Sequence, residues 1–138
     1  MSLNHRFNKK AEETLNDKKV GKNHSLLSSS RTAIQGFLTA VRTEKKVRQV
    51  ILAMTIATAL CVMTDVGYFQ ILMVIFSWVI VLICEIFNTA LEKVLDYTAG
   101  KEFHPLVRDG KDYAAACTFI SILFAGSLCA FLIWDRLF

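Results

Sequence analysis

Proline occurs once in the 138 residues, at Pro105. It disfavours helix at the preceding His104, and it marks the one place where a long helical reading has to stop. The four cysteines, Cys61, Cys84, Cys117 and Cys129, form no Cys-x-x-Cys pair. That spacing excludes a disulfide framework and a thiolate metal site, so they read as buried, inert thiols inside apolar runs. No Gly-rich phosphate loop or Walker sequence is present, so nothing here reads as a P-loop. The lysines are not accompanied by aromatic or motif-like patterns, which argues against nucleic acid as a partner. No internal repeat stands out. Residues 1–24 are polar and charged with no apolar stretch close behind, so they do not read as a cleavable signal.

What the chain has is apolar length. It is 54% hydrophobic and still carries a net charge of +4, so charged and apolar residues must be segregated. Three runs hold the hydrophobicity, roughly Val47 to Thr64, Tyr68 to Ala90 and Tyr113 to Trp134. A helical span needs about 20 apolar residues. The third run carries no charge at all, which argues against the alternative of a soluble all-helical bundle, where each helix needs a polar face. The expected fold is an all-α integral membrane protein. It has spans at about 44–64, 68–96 and 107–135, which with an interfacial helix form a domain over 25–138. The interfacial helix is expected at about 28–42, where Ala33, Ile34, Phe37, Leu38 and Val41 recur at helical spacing. Ser28, Ser29 and Ser30 are candidate N-caps for it, and Gly100 suits a C-cap after the second span.

Charge gives the orientation. Residues 1–49 hold eleven of the sixteen Lys and Arg, the segment Lys93 to Lys111 holds four, and the link around Asp65 to Gly67 holds none. The positive-inside rule then places the N-terminus in the cytoplasm and the C-terminus outside. A basic tail, residues 1–24 with Lys9, Lys10, Lys18, Lys19 and Lys22, is drawn to anionic headgroups by about 1 kcal/mol per charge.

The chemistry concentrates in the second span. Glu85 follows the uncharged run Tyr68 to Cys84, and an ionisable residue placed so deep is a functional candidate by default. Asn88, Glu92 and Asp96 follow it at steps of three, four and four, which share one helix face. Clustered carboxylates need a compensating metal, lysine or proton. Mg²⁺ would take one or two of them together with phosphate oxygens. Lys111 and Asp112 lie on the same side of the membrane. Glu44 reads on its own as a surface partner of Arg48, and His104 as a loop hydrogen-bonder.

The segment Glu85-Ile86-Phe87-Asn88-Thr89-Ala90-Leu91-Glu92-Lys93-Val94-Leu95-Asp96 closely resembles the signature of the prokaryotic diacylglycerol kinase and undecaprenol kinase family. Glu102-Phe103-His104-Pro105-Leu106 and Gly110-Lys111-Asp112 match it in order and approximate spacing. The resemblance covers about residues 25–137. It implies a homotrimer in the bacterial inner membrane, with active sites shared between subunits, using ATP and Mg²⁺ on a membrane lipid, diacylglycerol or undecaprenol. It further implies that Glu85 is the general base and that Asn88 lines the reaction centre. Glu44 and Glu92 would hold the metal, with Asp96, Glu102, Phe103, His104, Lys111 and Asp112 at the nucleotide. Ser25 and Thr32 stand where the family commonly has an Arg and an aromatic, and Arg31 is the nearest substitute. The His-Pro-Leu sequence resembles the undecaprenol branch. Two other classes fit the residues: a channel or proton relay along the carboxylate stripe, and an assembly subunit with polar interhelical glue.

Overall fold

A computed structural model describes residues 26–100 and 104–138. They form four helices: α1 (Leu26–Thr43), α2 (Lys45–Met63), α3 (Tyr68–Ala99) and α4 (Pro105–Leu137). The tail at residues 1–24, Ser25, Glu102 and Phe103 lie outside the described residues. The chain divides into two units between Phe37 and Leu38, a boundary that falls within α1.

In α1, Ile34, Phe37 and Leu38 are exposed on a helix that also carries Arg31, Gln35 and Arg42. An apolar stripe without protein cover beside basic residues suits a helix lying in a membrane interface. The helix starts at Leu26, so Ser28, Ser29 and Ser30 lie inside its first turns and do not cap it. Serine is only mildly unfavourable in a helix. The apolar period also runs back about two turns from Ile34, since Leu27 stands seven residues before it. At the other end Glu44 breaks the helix, with extended backbone at φ −100°, ψ 117°. Arg48 Nη1 closes that break by donating to Arg42 O at 2.9 Å and Val41 O at 3.3 Å, which satisfies carbonyls left open at a helix end.

The helices α2, α3 and α4 are each long and apolar enough to cross a membrane. At most 28% of the most apolar stretch of any of them is buried. Leu52, Ile56, Phe76, Ile83, Phe119 and Phe124 are among the large side chains left exposed. A soluble protein does not tolerate apolar surface on this scale, whereas lipid or neighbouring membrane helices cover it. The lengths differ in a way that matters for the site. α2 has 19 residues, while α3 and α4 have 32 and 33. At 1.5 Å per residue these are about 28, 48 and 50 Å, against a hydrocarbon core of about 30 Å. The α3–α4 pair therefore extends beyond the membrane at the end opposite the short link 64–67.

The core is a seam between the three spans. It comprises Val50, Ala57 and Cys61 of α2, Val66 of the link, Val74, Trp78 and Val81 of α3, and Ala125 and Cys129 of α4. α3 packs most extensively against α4, next against α2, and α2 meets α4 least. Small residues let the helices approach closely, and Cys61 Sγ lies 3.7 Å from Cys129 Sγ. All four thiols are free, but only these two are buried. Cys84 is half-buried and Cys117 exposed, which corrects the expectation that every cysteine is interior. In a membrane span an apolar run has no inner face to read, because lipid accepts every side of it.

Two helix ends explain the turn beyond the bilayer. Gly100 ends α3 with φ 59°, a region that favours glycine. His104 caps α4, its Nδ1 accepting from Leu106 N at 3.3 Å, with Pro105 in the first helical turn, where a missing N–H is harmless.

Ala125 is fully buried, so Ala125→Leu forces three extra carbons into the seam. It is expected to lower unfolding free energy in mixed micelles by about 1–3 kcal/mol. The same change at exposed Ala116 should leave the unfolding curve in place.

Candidate active site

On α3 the buried stripe runs Val74, Trp78, Val81, Glu85, Asn88, at steps of four, three, four and three. It is apolar up to Val81 and polar from Glu85 onward. The same helix face that packs the core thus delivers a carboxyl and an amide to the interior, 4% and 3% exposed. Glu85 lies seven residues, about 10 Å of helix rise, deeper than Glu92.

The hydroxyls of Thr89, one turn on, and of Thr118 on α4 lie beside the Glu85 carboxyl. Neither is aligned for a full hydrogen bond. Glu85 Oε1, Asn88 Oδ1, Thr89 Oγ1 and Thr118 Oγ1 are all buried and unpaired among the described residues, as is Trp78 Nε1 two turns deeper on the same face. Buried polar atoms are nearly always paired, so four orphans in one place mark a spot built to receive a polar group. Thr89 and Thr118 escaped the sequence reading because a threonine in an apolar span is compatible with simple helix packing.

One level outward, at the start of α2, lie two crossed ion pairs. Lys46 Nζ donates to both oxygens of Glu92, at 3.0 and 3.3 Å. Lys93 Nζ lies 2.6 Å from Glu44 Oε1, which also accepts from Thr43 Oγ1 at 3.1 Å. Asn88 Nδ2 donates to Glu92 Oε1 at 3.4 Å and links this level to the buried one. Glu44 does not pair with Arg48, whose guanidinium is taken by the end of α1. Its partner comes from α3, 49 positions away in sequence. The Lys93 hydrogen bond, helped by that of Thr43, holds the Glu44 carboxyl below its ordinary range.

Further out, Asp96 bonds Lys111, which joins α3 to α4 beyond the start of α2. His104 serves as the helix cap described above, and Asp112 is exposed on α4. The structure thus gathers Glu85, Asn88, Glu92 and Glu44 into one locale, with Asp96 and Lys111 paired above it. Among the described residues no three His, Cys, Asp or Glu side chains converge on a common point. Glu44 and Glu92 are each bonded to a lysine; one or two carboxylates of this kind are the usual protein share of a Mg²⁺ shell, the rest coming from water or phosphate oxygens.

The fold and this site define a helical membrane protein with three spans and a carboxylate centre at one membrane face. The family model described as prokaryotic diacylglycerol kinase matches residues 31–133. A diacylglycerol kinase of Pseudomonas aeruginosa is 29% identical over 97 residues, 70% of this chain and 78% of that protein. One of Escherichia coli (strain K12) is 32% identical over 102 residues, 74% and 83% of the two chains. One of Helicobacter pylori is 41% identical over 54 residues, 39% and 38% of the two. The chain belongs to the prokaryotic diacylglycerol kinase family.

Because Lys93 is what holds the Glu44 carboxyl ionised, Lys93→Met is expected to let it protonate at a higher pH than in the parent. A titration followed by the side-chain carboxyl ¹³C resonance should show that upward shift. An unchanged midpoint would mean that the pair is not maintained in solution.

Proposed function

We propose that this chain is an ATP-dependent kinase of a membrane lipid hydroxyl, with diacylglycerol as substrate and phosphatidic acid as product. The observation that carries this reading is the buried, unpaired Glu85 Oε1, about two helical turns below the lysine-paired Glu92. Family membership supports a lipid kinase, and the curated relatives are named diacylglycerol kinases.

Phosphoryl transfer relies on positioning and charge neutralisation more than on covalent chemistry. Glu85 Oε1 accepts the proton of the lipid hydroxyl, which enters from the headgroup level while its tails remain in lipid. A general base must stand within hydrogen-bond reach of that proton, and burial without a partner leaves the oxygen free for it. Thr89 and Thr118 orient the carboxyl from either side. Asn88 holds Glu92 through Nδ2 and keeps Oδ1 toward the reaction centre. Glu44 and Glu92 hold Mg²⁺ on the nucleotide, which when bound supplies the charge neutralisation that the phosphates require. Lys111, Asp96, His104 and Asp112, with Glu102 and Phe103, serve the nucleotide. Lys111 takes the place that a P-loop lysine would have.

The assembly proposed is a homotrimer, whose neighbours cover exposed residues on the spans and share the active sites. It sits in the bacterial inner membrane with the N-terminus cytoplasmic and the C-terminus external. The basic ends of α1 and α2 and the Asp96–Lys111 level then face ATP. Residues 1–24 form a basic tail and 25–138 the kinase domain. Undecaprenol is the second reading, favoured by His104-Pro105-Leu106.

A channel fits less well. On the other side of Glu85 the buried stripe is Val81, Trp78 and Val74, and the hydroxyl of buried Ser77 is turned back to Val74 O at 2.7 Å. Beyond Glu85 that stripe offers only Trp78 Nε1 as an unpaired polar atom among the described residues, which makes no continuous relay of titratable groups. Interhelical glue is tested separately, since it requires Asn88→Ala to disrupt oligomerisation before anything else.

Purified protein in mixed micelles should transfer labelled phosphate from MgATP to diacylglycerol, and Glu85→Gln should reduce the rate by at least about 10²-fold, the low end of a general base's contribution, with oligomeric state unchanged. Wild-type turnover in that variant would remove Glu85 from the role of base. Parallel assays with diacylglycerol and undecaprenol decide the substrate. A larger kcat/KM for the polyprenol would transfer the assignment to it.

A further inference from the structure

The crossed lysine pairs raise a question that the kinase reading leaves open: why the two carboxylates assigned to the metal are each already bonded to an ammonium. Lys46 is the more informative of the two. Its Nζ reaches both oxygens of Glu92, and the same ammonium acts electrostatically on Glu85 and Glu44. It is also the cation that acts on Glu85 from the neighbouring helix. Lys46 therefore bonds one carboxylate directly and lies within electrostatic reach of two more, and like charges so near one another are eased by a positive charge beside them. Its side chain is nevertheless 58% exposed, so the stem can swing into the headgroup region without opening the core.

We propose that Lys46 is an exchangeable counter-cation. It neutralises the carboxylate cluster by bonding Glu92, and it is displaced from Glu92 when a divalent cation takes that carboxylate. The inference rests on the reading of Glu44 and Glu92 as metal carboxylates. An ammonium on both oxygens of Glu92 competes for the lone pairs a metal needs, and on release it carries its positive charge to where the phosphates lie. Lys46 is thus a positioning residue. It sets how tightly free metal binds and keeps the cluster tolerable without it. Lys93 repeats the arrangement on Glu44 from the opposite helix.

The test measures Mn²⁺ binding by electron paramagnetic resonance, in mixed micelles without nucleotide, for the full-length protein and for Lys46→Met, Lys46→Gln and Lys46→Arg. Loss of the competing charge is expected to tighten Mn²⁺ binding about fivefold in the Met and Gln variants, the scale of a strong surface ion pair. The Arg variant should remain near wild type. Adding Glu92→Gln should erase the gain. In metal-free buffer the Met and Gln variants should unfold at a lower temperature than wild type and recover most of the loss in millimolar Mg²⁺. Equal Mn²⁺ affinity in wild type and both neutral variants, or a gain that survives Glu92→Gln, overturns the proposal while leaving the kinase reading intact. Absence of Mn²⁺ binding in every form also overturns the proposal, and if wild type transfers no phosphate either, the reading beneath it falls with it.

Discussion

Everything in this structure answers to one constraint: a carboxyl group held inside a bundle of apolar helices. Glu85 has apolar neighbours on its own helix and lies at the same depth as residues that face lipid. An acidic side chain at the bilayer centre costs a few kcal/mol on insertion scales, and the chain offsets that cost by placement. Glu85 falls where α3 turns from packing a seam to emerging into water. It has two hydroxyls beside it, and the Lys46 charge lies within electrostatic range. Moved two turns toward Trp78, the same carboxyl would meet valine and tryptophan with no cation in reach.

The helix lengths make that placement usable. Because α2 begins level with Glu92 while α3 and α4 run on past it, the membrane face near the site is stepped. At the lower step, two lysines and two glutamates from α2 and α3 pair across the helix boundary. At the upper one, Asp96 and Lys111 pair across the α3–α4 hairpin. Individually such exposed pairs contribute little to stability. Their order along the helix is what counts. A charged ligand approaching from water passes the Asp96–Lys111 level, then the crossed pairs, and reaches the uncharged threonines and Asn88 only at the depth of Glu85.

Much of this was legible in the sequence, and the boundary of legibility has a physical origin. Periodicity and hydropathy are local, so the three spans, the shared face of Glu85, Asn88, Glu92 and Asp96, and the oddity of Glu85 could be read from one helix at a time. Glu44 entered only through the family resemblance, and its partner was misread. The expected contact, Arg48, is four residues away, whereas Lys93 arrives from another helix. Lys46 escaped for the same reason, being joined to Glu92 across 46 positions. Thr118 looks like any hydroxyl in a membrane helix until α4 is laid against α3. The serine triplet misled in the opposite sense, because a capping residue type says nothing when the apolar period continues through it.

The contrast between paired and unpaired polar groups carries the functional argument further than their number does. At the membrane edge Glu44, Glu92 and Asp96 each have a lysine, and water is close enough to make pairing optional. Deeper in, where an unmade hydrogen bond is most expensive, Glu85 Oε1, Asn88 Oδ1 and both threonine hydroxyls have none. Stability alone would produce the reverse, with partners concentrated where desolvation is worst. Folding has instead assembled four unsatisfied polar atoms below a layer of satisfied ones. On the proposed kinase reading that order has a cause: the missing partner is supplied from outside the chain, by a lipid hydroxyl met by a phosphate from the aqueous side.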